Sequence, residues 1–430
     1  MRRRLFLHSS SAAAVAYALT GCGGGGGGGS ASVAATAGPA LANSAPATTA
    51  AASGSGYAFG SRLEAYAAGI LPSKSKQSMD AVLTKQYDAW KAANVVSANS
   101  VVAGGYAVQF SNRTYIAVSE GMGYGMLLAV LFAGHDPQAK AVFDGMLAMV
   151  RARPAYATGY PALMEWRINA DGTSAGEGWN AMDGDLDIAM ALLMADRQWG
   201  SGGTWNYKSE GIATINAMKA WNMKPDGTTK GLPNANNNRT SDYMIGHFRA
   251  FKKATGDGIW DLAVTRAYEL LDEMQTKFSP GVGLMPDFVI NTHASPSPST
   301  GYIGDMNDKE GYFWWNACRN PWRFASDYLL SGDARFALVT GRMIDFFKSS
   351  SGGDPMNIGT GYALDGTKLT GGNSAAYHGP ICAGACVDAR FQTFLDAMWD
   401  WNASHLTTGY YDGEIQLLSM VVASGNWWTP

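Results

Sequence analysis

The 430-residue sequence has little charge of either sign and no excess of basic residues. Lys and Arg number 32 against 35 Asp and Glu, and only 16% of the residues are charged. Three basic residues and no acidic residue precede Tyr57, which leaves a net charge of −6 on residues 57–430. Because contacts to phosphates require a basic surface, this balance argues against a nucleic-acid partner.

Long apolar runs, cysteine and histidine are also scarce. No apolar run reaches the ~18 residues that a membrane-spanning helix needs. Among the four cysteines, Cys382 and Cys386 are close enough for a local disulfide, and free buried thiols are the equal alternative. The six histidines are scattered, and neither a zinc motif nor a nucleotide-binding motif occurs in a suitable context. We therefore expect no metal and no organic cofactor.

The first 22 residues have the pattern of an export signal. The run Arg3-Arg4-Leu5-Phe6-Leu7 resembles a twin-arginine signal, and Leu19-Thr20-Gly21-Cys22 resembles a bacterial lipobox whose cysteine is lipidated. An ordinary signal peptide with an incidental cysteine is the alternative. Residues 23–56 are rich in Gly, Ala and Ser and predict a flexible linker before one folded domain, 57–430. We expect a secreted or cell-envelope protein, anchored to a membrane if Cys22 is lipidated.

The folded domain shows helical periodicity far more often than strand alternation. Residues 78–95 place Met79, Leu83, Tyr87 and Trp90 on roughly one face, and 120–132 are almost entirely apolar after the glycines. Comparable segments predict helices over 137–150, 185–199, 209–221, 241–254, 258–278, 321–330, 334–347, 388–401 and 415–423. The pattern predicts an all-α domain in which paired helices form a ring.

Two acidic motifs begin predicted buried helices, and the first contains Glu120. This residue lies where a turn containing Gly121, Gly123 and Gly125 meets an apolar helix. Burial raises the pKa of a carboxyl group, as a general acid near neutral pH requires. Glycines also let a bulky ligand approach the backbone. A glutamate that only stabilises the helix dipole is the alternative, and a phosphate loop is disfavoured because no Walker lysine follows.

The second motif contains Asp183, Asp185 and Asp187. Residues two apart around a helix start cannot all face the same direction. We expect one aspartate to cap the helix, another to meet solvent and the third to face a cavity.

Together these motifs resemble glycoside hydrolase family 8. The resemblance includes Ser119-Glu120-Gly121-x-Gly123-Tyr124-Gly125-Met126, Leu163-Met164-Glu165-Trp166-Arg167, Ala181-x-Asp183-Gly184-Asp185, Arg239-Thr240-Ser241-Asp242-Tyr243, and Asn316-Ala317-Cys318-Arg319. It implies an (α/α)6 barrel and endo-acting hydrolysis of a β-1,4-linked polysaccharide with inversion at the anomeric carbon. By the same resemblance, Glu120 is the general acid and Asp183 holds the sugar at the reacting subsite.

The general base is less well defined by the resemblance. Many family members have an aspartate where this chain has Asn316, and an amide cannot take a proton from water. A subgroup with asparagine at this position supplies the base from a preceding loop. In that loop we favour Glu310, then Asp308, then Asp305.

Aromatic residues predict a sugar-binding cleft, because sugar rings stack their apolar faces on aromatic side chains. Family positions that line the cleft match Trp166, Trp315, Tyr410 and Tyr411. Trp179 is an additional candidate. Core packing is the alternative for each. The resemblance adds two polar residues to the substrate-binding set, Asn316 and Arg319, and the alternative for the arginine is that it anchors a helix.

The leading functional prediction is a monomeric endo-β-1,4-glucanase (cellulase) acting on a β-linked polysaccharide. A chitosanase or lichenase of the same family is the first alternative. A non-catalytic polysaccharide-binding lipoprotein is the second, since Asn316 removes the usual base.

Overall fold

The computed structural model describes residues 56–110, 114–231, 234–301 and 307–430. The predicted signal with Cys22, the linker up to residue 55, and Asp305 lie outside the described residues. Within them the helices are α1 (Lys76–Asn94), α2 (Ser119–Leu131), α3 (Ala139–Ala152), α4 (Met182–Trp199), α5 (Tyr207–Asn222), α6 (Ile245–Thr255), α7 (Ile259–Glu273), α8 (Asn320–Ser331), α9 (Ala334–Ser350), α10 (Ala375–Ala385), α11 (Gln392–Ser404) and α12 (Tyr410–Ala423).

The even-numbered helices form an inner ring and the odd-numbered helices an outer ring. Each inner helix packs against the next, and α12 closes the ring against α2. The outer helices α3, α5, α7, α9 and α11 each pack on the inner helix that precedes them, and α1 packs on α12. Every residue of α10, and every residue of α2 except Glu120, is buried. This arrangement confirms the predicted (α/α)6 barrel.

Short antiparallel strands support the loops at one end of the ring. They are β1 (Val95–Ser97), β2 (Tyr106–Val108), β3 (Tyr115–Val118), β4 (Arg167–Asn169), β5 (Asn237–Arg239), β6 (Phe288–Ile290) and β7 (Ser297–Pro298). β1 pairs with β2, β3 pairs with β4, and β6 lies between β5 and β7. Because β3 runs directly into α2, and β5 runs into the turn before α6, these pairings fix the segments that enter the inner helices.

Four helices show the clearest differences from the sequence prediction. α10 was not predicted, α12 begins at Tyr410 rather than at residue 415, and α6 and α11 begin at Ile245 and Gln392, four residues later than predicted. The sequence of α10 contains Gly379 and Pro380, which are poor helix formers in isolation. In the barrel, a Cβ on Gly379 would lie 2.9 Å from Cα of Gln416 in α12. The glycine is therefore required for close packing of two inner helices, and tertiary packing outweighs its low helix propensity.

Residues 56–75 cross the opposite end of the ring, where the inner helices finish. Their polar groups donate hydrogen bonds to main-chain carbonyls at or just beyond the ends of these helices. The bonds run from Phe59 N to Ala133 O (2.8 Å), Ala67 N to Leu329 O (2.7 Å), Ile70 N to Cys386 O (2.8 Å) and Tyr66 Oη to Val422 O (2.7 Å).

Cys318, Cys382 and Cys386 are free, buried thiols. Cys382 and Cys386 form no disulfide, and the thiol of Cys386 donates to the carbonyl oxygen of Cys382 (3.7 Å), so the free-thiol alternative holds. Across the described part of the chain, none of the helices is both long enough and apolar enough to span a bilayer.

Candidate active site

The predicted acidic residues lie at the amino-terminal end of the inner ring. Glu120 is in the first turn of α2 and Asp183 in the first turn of α4. Arg319 immediately precedes α8, and Tyr410 is the first residue of α12. Since the amino termini of helices carry partial positive charge, this end of the barrel favours anionic side chains.

Arg319 connects the two predicted carboxylates. Its Nη1 donates to Glu120 Oε2 (2.5 Å) and to Asp183 Oδ2 (3.0 Å), and it also contacts the hydroxyl of Tyr124 (3.2 Å). The hydroxyl of Tyr410 donates to the other oxygen of Glu120 (2.9 Å). The side chain of Glu120 is 13% exposed and that of Asp183 is 2% exposed. Of the two carboxyl groups, Glu120 is therefore the more accessible.

The two carboxyl groups have opposite pKa shifts. Burial raises the pKa of Glu120 to about 7 against the attraction of Arg319, and the charge of Asp183 adds to the rise. Burial also opposes ionisation of Asp183, but the guanidinium groups of Arg239 and Arg319 outweigh it and hold the pKa of Asp183 well below its usual range. Near neutral pH, one carboxyl can therefore donate a proton while its neighbour stays ionised. Two adjacent carboxyl groups, one protonated and one ionised at the same pH, are typical of acid–base catalysis.

Arg239 and Asp242 belong to the same network, although the sequence analysis did not assign them roles. Arg239 Nη2 donates to Asp183 Oδ1 (2.8 Å), and its Nε donates to Asp242 Oδ2 (3.2 Å). Burial raises the pKa of Asp242 to about 6, even though Arg239 opposes the rise. The sequence pattern that could have suggested a role for them is an arginine and an aspartate three residues apart, just before an inner helix. Their proximity to Asp183, however, depends on the fold.

The three aspartates of the second motif face different neighbours, but none meets solvent, so that part of the expectation was wrong. Asp185 accepts hydrogen bonds from Met164 N (3.0 Å) and Asn180 Nδ2 (2.8 Å). Asp187 accepts from Arg323 Nη1 (2.8 Å) and His247 Nε2 (2.8 Å). Asp183, Asp185 and Asp187 are all buried. Asp185 and Asp187 therefore anchor α4, while Asp183 faces Arg319 and Arg239.

The candidate bases occupy contrasting environments. Glu310 is fully buried, and its carboxylate accepts a hydrogen bond from the hydroxyl of Ser299 (2.5 Å). Its main-chain oxygen accepts from Phe288 N (2.9 Å), which fixes its segment to β6. Asp308 is 78% exposed and pairs with the adjacent Lys309. Asn316 is buried and is held by neighbouring side chains.

Trp166 is buried rather than exposed in a cleft as expected, and its main chain joins the start of α2 to a row of three aromatic rings, those of Trp179, Trp221 and Tyr160. Ser119 N donates to Trp166 O (2.8 Å), and Trp166 N donates to Trp179 O (2.9 Å). The half-buried ring of Trp179 stacks on Trp221 with ring centroids 5.7 Å apart, and Tyr160 lies 6.4 Å beyond Trp221. Trp221 and Tyr160 were not predicted, because their positions in sequence do not reveal that they continue this row.

On the other side of Glu120, Trp315 and Tyr411 are half-buried and meet edge to face, with centroids 6.1 Å apart. The hydroxyl of Tyr411 donates to the carbonyl oxygen of Trp315. Tyr410 differs from the stacking residue that we expected, because it is only 2% exposed and its hydroxyl binds Glu120. Among the described residues, no three His, Cys, Asp or Glu side chains are grouped to hold a metal ion.

A helical barrel with a protonatable glutamate, an ionised aspartate and flanking aromatic rings defines a polysaccharide-processing acid–base hydrolase. The chain belongs to the glycosyl hydrolases family 8, whose family model matches residues 64–425. This membership confirms the predicted family and the prediction of a glycoside hydrolase.

Comparison with relatives and solved structures gives the same family. The chain is 35% identical over 374 residues to a beta-glucanase of Niallia circulans, covering 85% of this chain and 90% of that protein. It is 33% identical to an endoglucanase of Bacillus sp. (strain KSM-330), covering 83% and 78%. The apo structure of a beta-1,3-1,4-glucanase from Paenibacillus sp. X4 matches with a TM-score of 0.83 and 33% identity, over 87% of this chain and 99% of that one. A xylanase from Teredinibacter turnerae, at 19% identity and a TM-score of 0.69, shares the fold.

Proposed function

We propose that the protein is an endo-acting glycoside hydrolase that cleaves β-1,4 linkages within a β-glucan and inverts the anomeric carbon. The observation that carries the proposal is the pairing of Glu120, with its pKa raised to about 7, and ionised Asp183 across one arginine. Relatives at 33–35% identity that are named beta-glucanase and endoglucanase support the substrate class.

In the proposed reaction, Glu120 protonates the glycosidic oxygen as the bond to the anomeric carbon breaks. Arg319 and the hydroxyl of Tyr410 hold its carboxyl group in place. Asp183 accepts hydrogen bonds from the sugar at the reacting subsite and stabilises the positive charge that develops on the ring. A water molecule attacks from the opposite face and gives its proton to the base, which we propose is Glu310, with Asp308 as the second candidate. Exchange with solvent then restores both carboxyl groups.

Replacing Glu120 by Gln tests the acid directly. We expect Glu120→Gln to lower kcat by about 10²–10⁴-fold on β-glucan, because the amide has no acidic proton to donate. Glu269→Gln is the matched control, since Glu269 is a 57% exposed residue on the outer helix α7. Polymer cleavage by Glu120→Gln at the wild-type rate is incompatible with the proposal.

The base can be identified by chemical rescue. In Glu310→Ala, we expect activity to be lost and then partly restored by azide, which attacks without needing a base and gives a glycosyl azide of inverted configuration. Asp308→Ala should retain activity. If the rescue instead occurs in Asp308→Ala, the base is Asp308. If wild-type protein binds glucan but releases no sugar, the non-catalytic alternative is correct.

Mixed-linkage β-1,3-1,4-glucan is the second candidate substrate, because the Paenibacillus enzyme with a TM-score of 0.83 is named for that activity. Release of reducing sugar from carboxymethyl cellulose, lichenan and chitosan separates the candidates. Release from the first two supports a β-glucanase. Release from chitosan alone shows a chitosanase and overturns the proposal.

We also propose that the protein is exported and lipid-anchored through Cys22. The lipobox-like run Leu19-Thr20-Gly21-Cys22 and the basic start of the chain support this. Metabolic labelling with a fatty-acid analogue should mark the wild-type protein and leave Cys22→Ser unlabelled. Absence of label from exported wild-type protein favours an ordinary signal peptide.

A further inference from the structure

Asp287 is a fully buried carboxylate that has had no part in the site described so far. It immediately precedes β6, and its carboxylate accepts hydrogen bonds from four N–H donors. Its Oδ1 accepts from Trp314 N (3.0 Å) and Ala317 N (2.7 Å), and its Oδ2 accepts from Asn316 N (3.0 Å) and Asn316 Nδ2 (3.0 Å). A carboxylate can accept all four bonds, whereas a protonated carboxyl would direct a hydrogen toward a donor.

This contact determines how the side chain of Asn316 is oriented. Because Nδ2 donates to Asp287, the amide oxygen faces the other way and accepts from Arg319 Nη2 (3.0 Å). The main-chain oxygen of Asn316 accepts from Arg319 Nε (3.2 Å). Asn316 thus binds one side of the guanidinium, and the Nη1 on the other side reaches Glu120 and Asp183.

We propose that Asp287 is a positioning residue for the reaction, acting through Asn316 to aim the Arg319 guanidinium at Glu120 and Asp183. We further propose that Asp287 is the reason why this chain carries an amide at position 316. The inference rests on the proposed roles of Glu120 and Asp183. It adds a buried aspartate outside the cleft to the groups on which catalysis depends.

The physical reason is like-charge repulsion in a buried place. A carboxylate at position 316 would put two negative oxygens about 3 Å apart without water between them, and one of the two groups would have to take up a proton. Burial already raises the pKa of Asp287 to about 7 despite its four hydrogen-bond donors. These donors therefore could not also stabilise a second negative charge at position 316. An amide avoids the conflict and donates to Asp287 while accepting from Arg319.

Exchanging the carboxylate and the amide tests the pair. For Asn316→Asp we expect kcat on β-glucan to fall about 10- to 100-fold at pH 7, with little change in KM and partial recovery at lower pH, where one carboxyl is protonated. Asp287→Asn should also lose activity, because its NH2 group faces main-chain donors. In the double variant Asp287→Asn/Asn316→Asp, the two side chains can bond again, and we expect kcat at least about fivefold above that of Asn316→Asp. Asp272→Asn is the control, since Asp272 pairs with Arg342 away from the site.

A second variant covers the possibility that the charged variants do not fold. Asn316→Ala keeps the three main-chain donors of Asp287 and the main-chain bond to Arg319 Nε, and it removes the side-chain bridge from Asp287 to Arg319 Nη2. Because Arg319 lowers the pKa of Glu120, a less firmly held Arg319 should raise that pKa, so activity extends to higher pH while kcat falls. Infrared titration of the Glu120 carboxyl band, identified by its loss in Glu120→Gln, measures the same shift without turnover.

Two results would overturn the inference. One is an Asn316→Asp variant with wild-type kcat and pH profile. The other is an unshifted Glu120 pKa in Asn316→Ala. Failure of the proposed function is distinguishable, because it appears as wild-type protein that cleaves no glucan while the infrared shift is still measurable.

Discussion

At the scale of single residues, the site shows how neighbours give two carboxyl groups different proton affinities. Both side chains are largely removed from solvent, but Glu120 has one guanidinium contact whereas Asp183 lies between Arg319 and Arg239. Burial therefore dominates for Glu120, and the two positive charges dominate for Asp183. The division of roles between the two residues depends on the second arginine, Arg239, more than on the carboxyl groups themselves.

The raised pKa of Glu120 predicts the alkaline limb of the pH profile. The acid must be protonated, so kcat/KM should fall as the pH rises through about 7. The hydroxyl of Tyr410 lowers this pKa by donating to the ionised form. Tyr410→Phe removes the donor and keeps the ring, so the limb should move upward by about half to one pH unit, the equivalent of one hydrogen bond.

Tyr207→Phe is the control for this shift, because Tyr207 donates to Asp144 on the outer ring. It should leave the limb where it is in the wild-type protein. A limb that moves downward in Tyr410→Phe, or does not move, would show that another group is titrating.

At the scale of the elements, the site depends on how closely the starts of α2 and α4 approach each other. A Cβ on Gly184 would lie 2.5 Å from the main-chain carbon of Ser119, the residue before Glu120. We expect Gly184→Ala to push the two helix starts apart, destabilise the fold by about 1–3 kcal/mol and lower kcat at least about tenfold. Denaturant unfolding and steady-state kinetics measure the two effects.

Gly246→Ala in α6 is the matched control, because its new Cβ would lie 3.9 Å from Cα of Asp327, an ordinary van der Waals distance. There the substitution should be neutral or stabilise by about 0.5–1 kcal/mol, through higher helix propensity. Equal effects of the two substitutions would show that Gly184 is not needed for close approach.

The aromatic row beyond Trp166 predicts how the enzyme should depend on the length of the polysaccharide substrate. Trp221 lies at the end of α5 nearest the site, and it joins Trp179 to Tyr160. Trp221→Ala should raise KM for long β-glucan about 2- to 10-fold, as expected for loss of one stacking contact, without changing kcat/KM for oligosaccharides too short to reach it. Trp205→Ala is the control, since Trp205 precedes the opposite end of α5. A similar KM change in both variants would argue against a sugar contact at Trp221.

The elements also show what could be predicted from sequence. Apolar, glycine-containing segments such as 120–132 indicated buried helices, and the motifs around Glu120 and Asp183 identified the family and fold. The network around Arg319 could not be predicted, because it joins residues as distant as Glu120 and Arg319, 199 positions apart. The role of Asp287 could not be predicted either, because its neighbours in sequence give no sign that it contacts Asn316. Helix α10 was missed because Gly379 and Pro380 argue locally against a helix that packing with α12 stabilises.

At the scale of the whole molecule, a closed ring leaves many helix ends together at each face. At one face the amino termini surround Glu120 and Asp183. At the other, carbonyl groups at the ends of the inner helices require donors, and residues 56–75 supply several of them. The segment also stacks Phe59 on Phe132, with centroids 4.3 Å apart, and pairs Arg62 with Asp80 of α1 (2.6 Å). The short segment therefore links helices on several sides of the ring.

This role predicts a sharp boundary in a truncation series. Removing residues 1–55 leaves in place the contacts described above for residues 56–75, so we expect the truncated protein to keep the stability and activity of the full chain. Removing residues 56–75 in addition leaves buried carbonyl groups without donors. Each unpaired carbonyl costs about 1–3 kcal/mol, and the summed cost approaches the net stability of a typical domain. We expect residues 76–430 to unfold at much lower urea concentration or not to fold. Arg62→Ala removes the ion pair with Asp80 and the side-chain hydrogen bonds to Ser424 O and Gly60 O, and it should fold with an intermediate loss of stability. If residues 76–430 unfold at the same urea concentration as 56–430, the inner helices close the ring without help from this segment.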